Sequence, residues 1–242
     1  VAALTGDEDY VSGIQRIWQD VVGRKLYVTG GIGAQRRGEA FGEPYELPNA
    51  TAYTETCAAI ANALWNHRLF LLEGDAKYVD VLERTIYNGF LSGISLEGNT
   101  FFYPNPLESD GVYPFNHGKA ERQPWFGCSC CPTNIVRFLP SLLGYAYARA
   151  DDRLYVNLYV AGSALIELEG KPVTISQTTR YPWDGTIKLD VGIEAPRDFA
   201  LHLRVPGWAQ GKPVPSDLYR YLDDTPAKVQ LAINGESVPV KL

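Results

Sequence analysis

Gly127-Cys128-Ser129-Cys130-Cys131-Pro132-Thr133-Asn134 packs three of the chain's four cysteines into four consecutive positions and runs straight into an apolar, helix-patterned segment. Pro132 suits the first turn of a helix, where its missing N–H has no intrahelical partner to lose. That places Cys130 and Cys131 at a helix N-terminus, whose partial positive charge favours thiolate over thiol. A thiolate is both the better nucleophile and the better metal ligand. The fourth cysteine lies in Tyr53-Thr54-Glu55-Thr56-Cys57, two residues after a carboxylate. The two stretches are read as meeting around one zinc ion.

Zinc takes thiolate, imidazole or carboxylate donors, usually four in a tetrahedron. His67, His117 and His202 are isolated and none has ligand-like spacing. A site built from Cys57, Cys130, Cys131 and either Cys128 or Glu55 is the economical choice. Two separated C-x-x-C knuckles, the usual mark of a structural zinc, are absent, and this points to catalysis rather than scaffolding. Spacing sets a condition. Glu55 and Cys57 are about 200° apart on a regular helix, so both reach one ion only if the chain there is extended or just entering its helix. Thr51 or Thr54 is the expected cap of that helix, which carries Ala58 to Leu71.

Upstream, residues 7–22 carry Tyr10, Val11, Ile14, Ile17, Trp18, Val21 and Val22 at helical spacing, with Asp7 as N-cap and Gly23 as stop. A second helix begins at Asp75. Leu4-x-Gly6-Asp7-x-x-Tyr10-Val11 recurs as Leu72-x-Gly74-Asp75-x-x-Tyr78-Val79, and such a repeat suggests stacked helical hairpins, either a solenoid or a closed α/α toroid. Between the copies lies a long connection punctuated by glycine and proline, the kind that often carries function. Its glycines fit neither a dinucleotide fingerprint nor a P-loop. It also holds Glu39, Glu43 and Glu46, of which Glu43 and Glu46 read as solvated loop acids. Downstream, residues 99–126 are rich in aromatics and prolines, suited to core packing or to a wall facing sugar C–H surfaces. A helix over 133–149, kinked at Pro140, follows.

After Ala150 the pattern changes to short alternating runs at 154–160, 164–168, 173–175, 186–191, 200–205 and 229–233, the signature of a β-sandwich. The expected boundary lies near residues 148–153, separating a helical portion, 1–150, from a β-domain, 151–242. Asn234-Gly235 reads as a hairpin turn near the end of that second part. The opening residues read as the lead-in to a helix, so a preceding segment is expected, and the β-domain is expected to be cut short at Leu242.

The composition, 45% apolar and 21% charged over 242 residues, is that of a soluble globular protein. A net charge of −6 with no basic stripe argues against nucleic acid or an anionic membrane as partner. No stretch is apolar for the roughly 18 residues a membrane span needs. Cysteines grouped three plus one suit a metal or reactive-thiol site more than a disulfide scaffold, with two disulfides in a secreted protein as the alternative; a free-thiol zinc site slightly favours the cytoplasm.

Glu39 in Gly38-Glu39-Ala40-Phe41, Glu55-Thr56-Cys57 and Gly127-Cys128-Ser129-Cys130-Cys131-Pro132 together resemble the β-L-arabinofuranosidases of glycoside hydrolase families 127 and 146, once labelled a domain of unknown function. Leu203-Arg204-Val205-Pro206-Gly207-Trp208-Ala209 and Ile233-Asn234-Gly235 extend the resemblance along the chain. Where members often continue Pro-Pro-Asn, this chain has Pro132-Thr133-Asn134. The resemblance implies an α + β multidomain protein, with part of an (α/α)6 barrel followed by a β-sandwich domain. The N-terminal half of that barrel, which supplies sugar-binding histidines, would be missing. It implies a zinc cofactor held by Glu55, Cys57, Cys130 and Cys131, with Cys130 as nucleophile, Glu39 as acid/base, and Tyr103 and Glu83 against the sugar. The substrate class would be an arabinose-containing glycan, cleaved with retention. The competing expectation is a non-catalytic carbohydrate-binding protein that keeps zinc for structure.

Overall fold

The computed structural model describes residues 1–223 and 227–240. It is a mixed helix-and-sheet protein that divides by contact into two compact units, Val1–Phe138 with Val205–Leu242, and Leu139–Arg204.

The first unit is built on helices α1 (Ala2–Thr5), α2 (Glu8–Arg24), α3 (Thr56–Glu73), α4 (Ala76–Arg84) and α5 (Cys130–Phe138). The sequence repeat turns out to be one junction used twice. Gly6 closes α1 at φ 67° and Gly74 closes α3 at φ 73°, left-handed conformations that a Cβ disfavours. Asp7 and Asp75 then cap the following helices, each accepting a hydrogen bond from the amide two residues on, at 2.9 Å. Gly23 is not the stop expected of it: α2 runs on to Arg24, and Lys25 ends it.

Helix α3 is the hub. It is apolar around most of its circumference, and the polar side chains it buries are satisfied. Trp18 donates to Asn66, Asn66 donates to Asn62, and Asn62 donates to the Gly30 carbonyl and to Thr85 Oγ1. This chain of bonds links α2, α3, the 27–55 connection and the π-helical turn Thr85–Phe90 that continues α4. Buried polar groups bonded in this way fix one relative placement of the elements, because a shift would strand them without water.

Helix α5 departs from the expected 133–149. It starts at Cys130 and ends at Phe138, and Leu139–Tyr145 tightens into 3-10 geometry around Pro140, which supplies no amide to continue the helix. In the first unit's C-terminal stretch, β7 (Leu231–Ile233) and β8 (Glu236–Val238) form a hairpin. Asn234 and Gly235, both at positive φ, make its turn, as the Asn-Gly pair implies. Residues 241–242, at the end of the expected β-domain, lie outside the described residues.

The second unit holds two three-stranded sheets. In one, β2 (Arg153–Val156) pairs antiparallel with β1 (Tyr147–Ala150) and parallel with β6 (Ala200–Leu203). In the other, β4 (Lys171–Thr179) runs antiparallel between β3 (Gly162–Leu168) and β5 (Ile187–Ile193). Leu154 from the first sheet and Leu168, Val173 and Ile175 from the second share a core. β1 falls where helix was expected, because Tyr147-Ala148-Arg149-Ala150 carries no period long enough to tell strand from helix. Among the described residues no helix is long and apolar enough to cross a membrane.

Candidate metal centre and active site

Residues 53–56 are stitched on both sides, and Thr54, at φ 38°, bends the backbone just before α3 begins at Thr56. Tyr53 and Thr54 donate amide hydrogens to Ala34 and Gly33 carbonyls, while Thr56 donates to Tyr103 and Asn105 to Tyr53. Thr56 Oγ1 donates to the Phe102 carbonyl at 2.8 Å, and Thr54 Oγ1 donates to the Asn105 carbonyl. The threonines therefore clamp the aromatic 101–105 stretch and cap nothing. The cap position of α3 is Glu55 itself, with extended backbone and no side-chain cap bond. Its carboxylate is left free to turn toward the cysteines. The condition set by the spacing is met: Glu55 is still extended and Cys57 is the second residue of the helix.

The side chains of Glu55, Cys57, Cys130 and Cys131 converge, with one donor atom from each within 4.8 Å of all the others. Cys131 Sγ lies 3.4 Å and Cys130 Sγ 3.7 Å from Glu55 Oε1. A tetrahedral zinc with sulfur at about 2.3 Å separates its donors by roughly 3.5–3.8 Å, so this set fits the ion with small adjustments. Cys128 is exposed and stands outside the group.

The electrostatics of the cluster point the same way. Hydrogen bonding, chiefly from Cys131, holds the Cys57 thiol down at about 7, so the first charge settles there. Burial, opposed by the Tyr103 hydroxyl and reinforced by the Cys57 charge, pushes Cys130 up to about 11. Its hydrogen bond to Cys57, then burial, pushes Cys131 well above the thiol range. Three sulfurs and a carboxylate packed this closely ionise together only around a cation, and a divalent ion is the natural one.

Cys130 and Cys131 open α5, and successive residues on a helix point about 100° apart. One therefore faces inward and the other outward: Cys131 is 0% exposed, whereas Cys130 is partly accessible. The Tyr103 hydroxyl sits 3.0 Å from Cys130 Sγ. Tyr103 is itself buried, its ring tilted against His117 at 4.4 Å and edge-on to Phe126 at 5.6 Å. Of the three histidines, His117 is thus the one bordering the cluster. His67 lies on α3, and His202 on β6 stacks on Tyr155 at 4.5 Å.

Glu39 ends the 3-10 turn Arg37–Glu39 and is exposed. One residue joins it to this centre that the sequence reading had passed over. Tyr53, 5% exposed, donates its hydroxyl to Glu39 Oε1 at 2.9 Å, and its ring centroid lies 6.2 Å from that of Tyr103. Burial, then the hydrogen bond to Glu39, drives the Tyr53 phenol above its ordinary range. Glu83, on α4, is 3% exposed and accepts a hydrogen bond from Trp208 Nε1 at 3.3 Å.

Residues 1–144 match the family model of the β-L-arabinofuranosidase GH127 catalytic domain, and residues 153–242 that of the GH127 middle domain. The chain is 37% identical over 220 residues to a non-reducing end β-L-arabinofuranosidase of Bifidobacterium longum subsp. longum, covering 87% of this chain and 33% of that protein. Among solved structures, a GH127 β-arabinofuranosidase superposes with a TM-score of 0.93 at 52% identity, covering all of this chain and 37% of the other. A GH127 β-L-arabinofuranosidase from Geobacillus stearothermophilus T6 gives 0.87 at 42% identity, covering 98% and 35%. The chain spans about a third of the length of these relatives.

Proposed function

The chain belongs to the GH127 β-L-arabinofuranosidase family, and from that membership we propose that it works as a zinc-dependent retaining glycosidase, releasing L-arabinofuranose or a related sugar from β-linked glycans. The observation that carries the reading is the convergence of Glu55, Cys57, Cys130 and Cys131, with only one of the paired sulfurs turned outward. In architecture, we read residues 1–150 as part of an (α/α)6 barrel and 151–242 as a β-sandwich domain.

In this reading Glu55, Cys57, Cys130 and Cys131 hold the ion. Zinc, when bound there, supplies the positive charge that keeps Cys130 ionised at neutral pH and makes it an acceptable leaving group. The chain's own groups do the rest. A lone pair on Cys130 Sγ forms a bond to the anomeric carbon as the bond to the leaving oxygen breaks, and Glu39 gives that oxygen its proton. The Glu39 carboxylate then takes a proton from water, the water oxygen bonds to the anomeric carbon, and the C–S electron pair returns to sulfur. Two displacements on one carbon retain its configuration. The Tyr103 hydroxyl, beside Cys130, donates to the sulfur when it is charged and orients it. Tyr53 fixes the Glu39 carboxyl. Tyr103 and Glu83 are assigned to the sugar.

The test is metal analysis together with release of arabinose from an aryl β-L-arabinofuranoside. One zinc per chain and turnover that chelation abolishes are the expected results. Metal-loaded protein that releases no sugar would refute the assignment.

A further inference from the structure

Beside Glu39 the surface opens into a cleft of about 350 Å³, lined among others by Arg36, Arg37, Glu46, Tyr53, Tyr113 and Phe115. Tyr53 is shared: it lines this cleft, and its hydroxyl holds the Glu39 carboxylate. Arg36 and Arg37 belong to the same turn as Glu39. An acid that protonates the leaving oxygen must touch the bond being cut, so the sugar on the far side of that bond lies against the acid. A cavity of this size accommodates a sugar residue, and aromatic walls suit its C–H faces.

The polar lining is lopsided. The Glu46 carboxylate is engaged, accepting from Gln35 Nε2 at 3.2 Å and from the Glu43 amide at 2.8 Å. Among the described residues the Arg36 and Arg37 guanidiniums form no hydrogen bond or ion pair. Two free guanidiniums at the rim of a sugar-sized cleft, next to the acid, match a planar carboxylate. We propose that this cleft is the leaving-group subsite and that Arg36 and Arg37 select a leaving residue that carries a carboxylate, a uronic acid.

The inference rests on the glycosidase reading, and the experiment separates the two. Metal-loaded wild type, Arg36→Gln/Arg37→Gln and Arg36→Lys/Arg37→Lys are assayed on two β-L-arabinofuranosides whose leaving sugars are galacturonate and galactose. Free galacturonate and galactose are titrated against the same proteins by calorimetry or NMR. Wild type should favour the galacturonate compound about 5-fold or more in kcat/KM, between the effect of an exposed ion pair and that of a charge-assisted hydrogen bond. The preference should shrink with added salt, collapse toward unity in the glutamine variant, and survive in part in the lysine variant. Free galacturonate should bind wild type more tightly than galactose does, and lose that advantage in the glutamine variant. Equal treatment of the two compounds by wild type, or a preference that the glutamine variant keeps, would overturn the subsite. If neither compound nor an aryl arabinofuranoside is hydrolysed, the glycosidase reading has failed. The titrations then decide the cleft alone, and no galacturonate preference there would end that proposal too.

Discussion

Replacing Tyr53 with phenylalanine removes one oxygen and tests how the centre is joined. The Tyr53 hydroxyl makes the only hydrogen bond to the Glu39 carboxylate among the described residues, at 2.9 Å. A hydrogen bond to a charged group is worth about 1.5–3 kcal/mol. Glu39 is exposed, so water replaces most of that bond in the ground state, and folding should lose no more than about 1 kcal/mol. The larger loss falls on positioning. An acid freed to swing by about 1 Å costs on the order of 100-fold in rate, and only where the leaving oxygen needs its proton. Nitrophenolate departs without help, whereas a sugar alkoxide does not. The assay compares kcat/KM on a nitrophenyl arabinofuranoside with that on an alkyl or disaccharide substrate. The expected result is a drop of about 10- to 100-fold on the poor leaving group and less than about 3-fold on the good one, with zinc content unchanged. Equal losses on both substrates, or none on either, would refute the link from Tyr53 to Glu39 to the leaving oxygen.

Cys130→Ser should abolish turnover while keeping much of the metal, because three donors remain and a serine oxygen occupies the fourth place; near-normal activity with full zinc would exclude Cys130 as nucleophile. Zinc affinity should climb with pH. Cys130, pushed up to about 11, and Cys131 must each lose a proton to bind, and Cys57, at about 7, adds a third below neutrality. Competition with a chelator between pH 6 and 8 should show roughly two to three protons released per ion, and a pH-independent affinity would contradict that donor set. Gly74→Ala, at φ 73°, should lower stability by about 1–2 kcal/mol, seen as a melting-temperature fall of a few degrees. Gly13→Ala, inside α2 with open space around its Cα, should act in the opposite direction by up to about 1 kcal/mol.

The convergence of the two cysteine stretches was legible because it rests on local rules, although the residues alone left Cys128 and Glu55 as alternatives and only the family resemblance favoured Glu55. A proline in the first turn fixes where α5 begins, and the beginning of a helix fixes where two adjacent cysteines point. The geometric condition on Glu55 and Cys57 followed from the helix repeat alone. Capping was read less well. Asp7 caps as expected and Asp75 repeats it, but Thr54, one of the two expected caps of α3, bonds to a carbonyl of the 101–105 stretch, as Thr56 also does, a partner far away in the chain. Gly23 missed as a stop by a single residue, since α2 ends at Arg24 and Lys25 closes it. The grouping of residues 205–240 with the helical unit depends on long-range contacts such as Gly207 donating to Asp80 and Ser216 to the Val22 carbonyl. No periodicity carries that information. Tyr53 was invisible as a site residue for the same reason: what distinguishes it from any buried tyrosine is the acid 14 residues away that its hydroxyl meets.

In the proposed mechanism the adjacent cysteines would resolve a conflict that one sulfur could not. A ligand that holds an ion firmly must be buried and immobile, whereas a nucleophile must reach a substrate and later let it go. Placing both at the start of one helix gives them the same favourable dipole, while the 100° step between them gives them opposite surroundings. In that mechanism Cys131, fully buried and bonded toward Glu55 and Cys57, takes the holding role. Cys130 keeps one side on the cluster and another on the Tyr103 hydroxyl and the accessible surface. Exchanging the two roles would require turning α5 by a quarter of a revolution, against Ile135 and Phe138, which lie buried along the inner face with Cys131. In the proposed mechanism, the packing of α5 is what favours 130 over 131 for the chemistry.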